Sequence, residues 1–169
     1  MPETETLSIL PRRQLIVLAG TGLFAMLAGC RSTDVLPTSD EFAEVQTDRA
    51  LPIVNQLREK KGLSTLAKNP AAEAAAVAQA KRMARAGKMS HLIGLNDSFL
   101  ERMKQTEVPL PAAENIATGQ DSVERAVQAW IDSKKHLENM LGGYHGLGVA
   151  VARDPSSANR PYWAMVLSA

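Results

Sequence analysis

The apolar pattern of this 169-residue chain changes period once, late in the sequence. Between residues 50 and 141 apolar residues recur at helical spacing. In "GLGVAVAR" (146–153) and "RPYWAMVLSA" (160–169) they alternate, as they do in strands, and a Pro/Ser/Asn-rich turn joins the two runs. Helices first and two late strands pairing antiparallel define an α+β chain, with helices packed on an antiparallel sheet. No internal repeat is present.

The helical stretches carry their own punctuation. "ALPIVNQLREKKG" (50–62) puts Ile53, Val54 and Leu57 on one face and ends at Gly62, with Pro52 better suited to a first turn than to an interior. "NPAAEAAAVAQAKRMARAG" has Asn69 as cap, Pro70 at the first position and Gly87 as stop. Its stripe of Val77, Ala80, Met83 and Ala84 is thin, so this helix must pack closely against its neighbour. "NDSFLERMKQ" reads as a shorter helix. In "DSVERAVQAWIDS" Val123, Ala126, Val127, Trp130 and Ile131 form one stripe, and "HLENML" adds a further helical piece.

Ahead of these lies an address. Arg12-Arg13, an apolar run of about 13 residues, against roughly 20 for a membrane-crossing helix, and Leu27-Ala28-Gly29-Cys30 read as an export signal over residues 1–29. The paired arginines suit a twin-arginine signal. Leu-Ala-Gly-Cys resembles a bacterial lipobox, which makes Cys30 the lipidated first residue of the exported protein. Cys30 is the only cysteine, so no disulfide supports the fold. Residues 30–46 then read as the lipidated cysteine and a polar tether, and residues 47–169 as the domain. By resemblance to lipoprotein sorting rules, Arg31 after the cysteine implies the outer membrane, periplasmic face, in an organism with two membranes. Charge is balanced, 19 Lys+Arg against 18 Asp+Glu, and aromatic residues make up 4%. That excludes a basic or stacking surface for nucleic acid.

Four polar residues stand at the edges of regular elements: His91 in "GKMSHLIG", Glu114 in "AAENIATG", His136 in "KKHLENML" and His145 in "GGYHG". Imidazole and carboxylate are the groups that hold zinc and that move protons near neutral pH. No local ligand spacing such as His-Glu-x-x-His is present. On the residues alone, helix-end histidines that bond the backbone, and a loop carboxylate capping N–H groups, are therefore the favoured readings, with the site reading left open.

At "AENIATG", followed by the helix ending "WIDSKKHLENML", then "GLGVAVA" and "YWAMVL", the chain resembles a bacterial CAP-superfamily (SCP-like) domain. "VNQLREKKGLSTLAKNP" is similar to the family's opening Asn-x-x-Arg helix, and "AKRMARAGKMSH" to its second helix, which ends in a histidine. The resemblance covers roughly residues 50–169. It implies an α-β-α sandwich with a cleft lined by two histidines and acidic residues, which in some members holds a divalent metal such as zinc. His91 matches the first histidine, Glu114 the first glutamate and His136 the second histidine. The second glutamate falls on Ser133, which also suits the N-cap of "KKHLENML"; Asp132 and Glu138 are the nearby carboxylates that could substitute. Asn115 is expected to secure the Glu114 loop, and Trp130 to be core. Of Tyr162 and Trp163, adjacent on a strand, one should face outward.

Three functions follow from that resemblance. One is a non-catalytic module, anchored to the cell envelope by lipid, that binds a lipid or protein ligand in the cleft. Another is a metal-dependent hydrolase or protease using His91, Glu114 and His136, or Ser133 as nucleophile; no Gly-x-Ser-x-Gly elbow accompanies Ser133. The last is a structural envelope protein. In the first two, Glu114 is expected to face His91 and His136 across a shared cleft.

Overall fold

The alanine-rich segment decides how closely the layers of this protein approach. In the computed structural model, which describes residues 42–169, it forms helix α2 (Pro70–Ala86). Asn69 caps it by accepting from the Ala72 N–H at 3.0 Å, and Gly87 ends it in the left-handed region at φ 59°. Ala72, Ala75, Ala76, Ala80, Met83 and Ala84 are buried. Their small side chains let α2 lie directly on strand β4 (Gly146–Arg153), where a Cβ built on Gly148 would fall within the backbone of Ala72 and Glu73. The export signal over 1–29, Cys30 and most of the tether lie outside the described residues.

Strand β5 (Tyr162–Ser168) pairs antiparallel with β4, as the alternation predicts, with Ala150 opposite Ala164. Three further strands were not legible. β3 (Ala112–Thr118) pairs antiparallel with β5, with Glu114 opposite Val166 and Asn115 opposite Met165. The segment expected as a loop is therefore a buried edge strand. Alanine, glutamate and asparagine are poor strand formers, so pairing and burial, not propensity, make it one. β1 (Phe42–Val45) pairs antiparallel with β4 and takes the end of the expected tether into the sheet. Its side chains are largely exposed, so only backbone pairing marks it, and periodicity cannot see that. The two-residue β2 (Ala67–Lys68) runs parallel to β4. Among the described residues the sheet order is β1-β4-β5-β3, with β2 also on β4.

Helices cover both faces of this sheet. Alternate residues of β3, β4 and β5 sort into two cores. Ala113, Ala117, Leu147, Val149, Trp163 and Met165 pack with α1 (Thr47–Lys60), α4 (Val123–Ile131) and α5 (Lys134–Met140). Ile116, Ala150, Tyr162, Ala164 and Val166 pack with α2 and α3 (Phe99–Gln105). The chain is thus an α-β-α sandwich. Tyr162 and Trp163 are both buried, contrary to the outward placement expected for one of them, because helices cover both faces of the sheet at β5. Trp130 is core, as expected.

Helix α1 begins three residues earlier than its sequence suggested, at Thr47, which leaves Pro52 in its second turn, where no N–H is available for the Asp48 carbonyl. Its polar pair explains the Asn-x-x-Arg spacing. Asn55 exchanges hydrogen bonds with the Leu66 backbone at 2.8 and 3.0 Å. Arg58, fully buried, donates to the carbonyls of Ser64, Met140, Gly142 and Tyr144 and so clamps the turn between α5 and β4. Burial lowers its pKa from the usual guanidinium value.

Candidate functional site

Glu114 and Asn115 are neighbours on β3, so the strand's two-residue period sends their side chains to opposite faces of the sheet. Each organises one side of the molecule, and the residues singled out in the sequence divide between them.

On the α2–α3 side, the loop carrying His91 is held by its carbonyls. Gln79, buried on α2, donates to Ser90 and His91 O; Arg82 donates to Ile93 O at 2.8 Å; Arg102 on α3 donates to His91 O at 2.9 Å. With the loop fixed, His91 Nδ1–H donates to Glu114 Oε1 at 2.9 Å. A carboxylate can only accept, so this bond leaves Nε2 as the outward-facing nitrogen of a half-exposed ring. Arg102 takes the rest of the carboxylate, donating from Nη1 to Oε2 at 2.7 Å and from Nη2 to Oε1 at 3.2 Å. Behind Arg102 stands Asp97, 3.3 Å from its Nε in an ion pair without hydrogen-bond geometry, and bonded also to Arg82 and to the Ile93 N–H. Burial alone would raise the Asp97 pKa, but the Arg82 and Ile93 hydrogen bonds and the charges of Arg82 and Arg102 outweigh it and hold it low.

On the other side, Asn115 donates from Nδ2 to His136 O at 3.0 Å and accepts from Asn139 Nδ2 at 2.8 Å. The asparagine secures α5, not the Glu114 segment. Ser133 stands at the N-cap of α5 and its carbonyl accepts from Leu137 N at 2.8 Å, yet its hydroxyl makes no cap bond. His136 has its pKa lowered by burial first and by the charge of His91 second, which favours a neutral ring.

Two cavities flank the strand. One, of about 270 Å³, is lined by His91, Phe99, Ala113, Glu114 and Asn139. The second, of about 240 Å³, is lined by Ser133 and His136 with Trp130, Gln120, Thr118 and apolar residues. The structure thus joins Glu114 to His91 and puts Ser133 and His136 on the wall of the neighbouring cavity, near enough to His91 for its charge to act on His136. His145 is exposed in the turn before β4 and lines neither, and Asp132 and Glu138 are exposed.

The residues do not fit the zinc centre expected of His91, Glu114 and His136. Zinc sites take three or four protein ligands, whereas both Glu114 oxygens are engaged by Arg102 and His91. Among the described residues no three His, Cys, Asp or Glu side chains converge to hold a metal ion. Arg102, Asp97 and Asn139, which decide this arrangement, were not singled out in the sequence.

The description "Cysteine-rich secretory protein family" belongs to the family model that matches residues 51–167. No curated protein matches the sequence. Among solved structures, an outer surface protein of Borrelia burgdorferi is similar at 18% identity and a TM-score of 0.61, over 75% of this chain and 98% of that one. A Bacillus anthracis extracellular protein containing an SCP domain is similar at 23% identity and 0.63, over 72% of this chain and 39% of that one. A Staphylococcus aureus cysteine-rich secretory protein follows at 19% and 0.56, over 73% and 38%. The chain therefore spans nearly all of the first and under two fifths of the other two. At these identities the likeness is one of fold.

Proposed function

Since this chain belongs to the cysteine-rich secretory protein (CAP) family, we propose that it acts as an exported, non-catalytic binding module, with a lipid or protein ligand received at the cavities beside β3. One observation carries the reading: Glu114 is a brace, its almost wholly enclosed carboxylate accepting three hydrogen bonds from Arg102 and His91. A general base must reach the proton it takes, whereas this carboxylate is 2% exposed and held in place by Arg102 and His91. Its effect is to orient the His91 ring, as carboxylates behind ligand-facing histidines do, so that Nε2 is presented at a fixed angle. Nor is Ser133 armed as a nucleophile, because no hydrogen bond links its hydroxyl to His136 among the described residues. A second reading has the same network as its support: bonds from Gln79, Arg82 and Arg102 to the loop carbonyls suit a cluster that only orders the loop of a structural envelope protein.

Calorimetric titration with zinc near pH 7, run beside an ester and peptide hydrolysis assay, tests the non-catalytic reading on wild type and His91→Ala/His136→Ala. We expect neither micromolar zinc binding nor turnover in either protein. Zinc-dependent turnover that the double variant loses would return the site to the metal-dependent hydrolases.

Export is proposed on separate grounds. Arg12-Arg13, the apolar run and Leu27-Ala28-Gly29-Cys30 suit a lipidated envelope protein, at the outer membrane where there are two. The similar Borrelia and Bacillus proteins, an outer surface and an extracellular protein, agree with that address. Several acyl chains on Cys30 would hold the protein stably at a bilayer, where one gives only reversible binding. Accordingly, Cys30→Ser should move the chain from the membrane pellet to the soluble fraction; an unchanged distribution refutes the anchor.

A further inference from the structure

We propose that the cavity bearing Ser133 binds an uncharged ligand through a secondary amide, whose carbonyl accepts from the Trp130 indole N–H and whose N–H donates to the Gln120 side-chain oxygen. This rests on the binding-module reading and gives it a ligand class. Trp130 is 1% exposed, and its Nε1 has no hydrogen-bond partner within the protein. Gln120 Oε1 is buried and equally without one. Native proteins leave few such groups, since each costs the desolvation it does not recover. Here one orphan donor and one orphan acceptor belong to side chains lining the same cavity.

The rest of the lining narrows the chemistry. Ile116, Ala117 and Ala129 supply an apolar floor, and no Asp, Glu, Lys or Arg contributes to the wall. A charged ligand would lose its hydration there and find no Asp, Glu, Lys or Arg to pair with, since the other polar wall residues are Thr118, Ser133 and His136. A plain hydrocarbon would leave both polar atoms orphaned. An amide carries an acceptor and a donor one bond apart, with a small apolar substituent on either side, and so answers all three features together. Ser133, whose hydroxyl is not used to cap α5, provides a second donor for the carbonyl. The position of Gln120 is itself fixed, because the other tryptophan, Trp163, donates from its indole to the Gln120 backbone carbonyl at 2.8 Å.

That second indole is an internal control. The chain has two tryptophans, hence two indole N–H signals in a ¹⁵N–¹H spectrum. The full chain is titrated with N-acetylglucosamine, with N-acetylalanine methylamide and with glucosamine, which has an ammonium in place of the amide. We expect saturable downfield movement of the Trp130 signal with an amide probe, a stationary Trp163 signal and no response to glucosamine. A response to the sugar alone identifies an N-acylated glycan as the source; a response to the dipeptide analogue alone identifies a peptide. Gln120→Leu should weaken binding by about tenfold, the worth of one hydrogen bond left unmade. Ser133→Ala, at a site outside the core, keeps the test open where the leucine variant misfolds, and should weaken binding too. A Trp130 signal that no amide moves, or that glucosamine moves equally, overturns the proposal. Zinc-dependent turnover would instead overturn the module reading, so the two failures are distinguishable.

Discussion

Gly148→Ala is expected to destabilise the domain by about 3 kcal/mol or more, at or above the upper end of ordinary overpacking, lowering Tm by roughly 10 °C. The added carbon has no side chain to push aside. It meets the main chain of Ala72 and Glu73 at the first turn of α2, so the whole helix must lift from β4. Helix α2 carries most of the core on its side of the sheet, and that displacement would loosen its contacts with Ala150, Ala164 and Val166 as well. Gly143→Ala is the control. A Cβ there meets nothing within 4 Å, and Tm should stay within experimental error. Thermal unfolding of the two variants in parallel decides the matter; equal Tm values would show that α2 is not seated on the strand backbone.

The second large effect is expected at Arg102→Met. Methionine retains much of the stem's volume but removes the charge between Asp97 and Glu114, two carboxylates that are almost wholly enclosed. Removing one partner of a buried pair costs about 3–5 kcal/mol, chiefly because the charge left behind has neither water nor counterion. The consequence is local as well as global. His91 loses the hydrogen bond to its carbonyl, and Glu114 loses the brace that aims it at the ring. Combining Arg102→Met with Glu114→Gln should recover part of the loss, since the second change removes the uncompensated charge that the first creates. Strict additivity in chemical denaturation would refute the coupling.

These two residues also mark what the sequence made legible. Helix α2 could be read in full because its cap, first-turn proline and terminal glycine are local signals, and its thin alanine stripe already implied a close neighbour. β4 and β5 declared themselves by alternation. β3 did not, since Ala-Ala-Glu-Asn has neither the branched residues nor the pattern of a strand and becomes one by pairing with β5. The site shows the same divide. His91 and Glu114 could be associated by family resemblance, and they do touch. Arg102 left a physical trace that spacing analysis can use: with Phe99 and Met103 it occupies positions i, i+3 and i+4 of α3. An arginine in that inward stripe requires a buried acceptor, and Glu114 is that acceptor. What no local signal contained was the division of Glu114 and Asn115 between two faces, because that depends on knowing that the segment is extended.

That division makes the site a matter of parity. Each member of the pair reaches its partners only because its place in the strand is even or odd relative to its neighbour. One residue inserted between Ala112 and Glu114, with Ala112 kept opposite Ser168 and the strand beyond it shifted by one, would turn the carboxylate toward Asn139 and the amide toward Arg102. Both halves would then fail together. Evolution can vary the composition of this strand far more freely than its count. The spacing from the Pro111 turn to Glu114 is therefore a constraint in its own right, as binding on the chain as the identity of the residues it places.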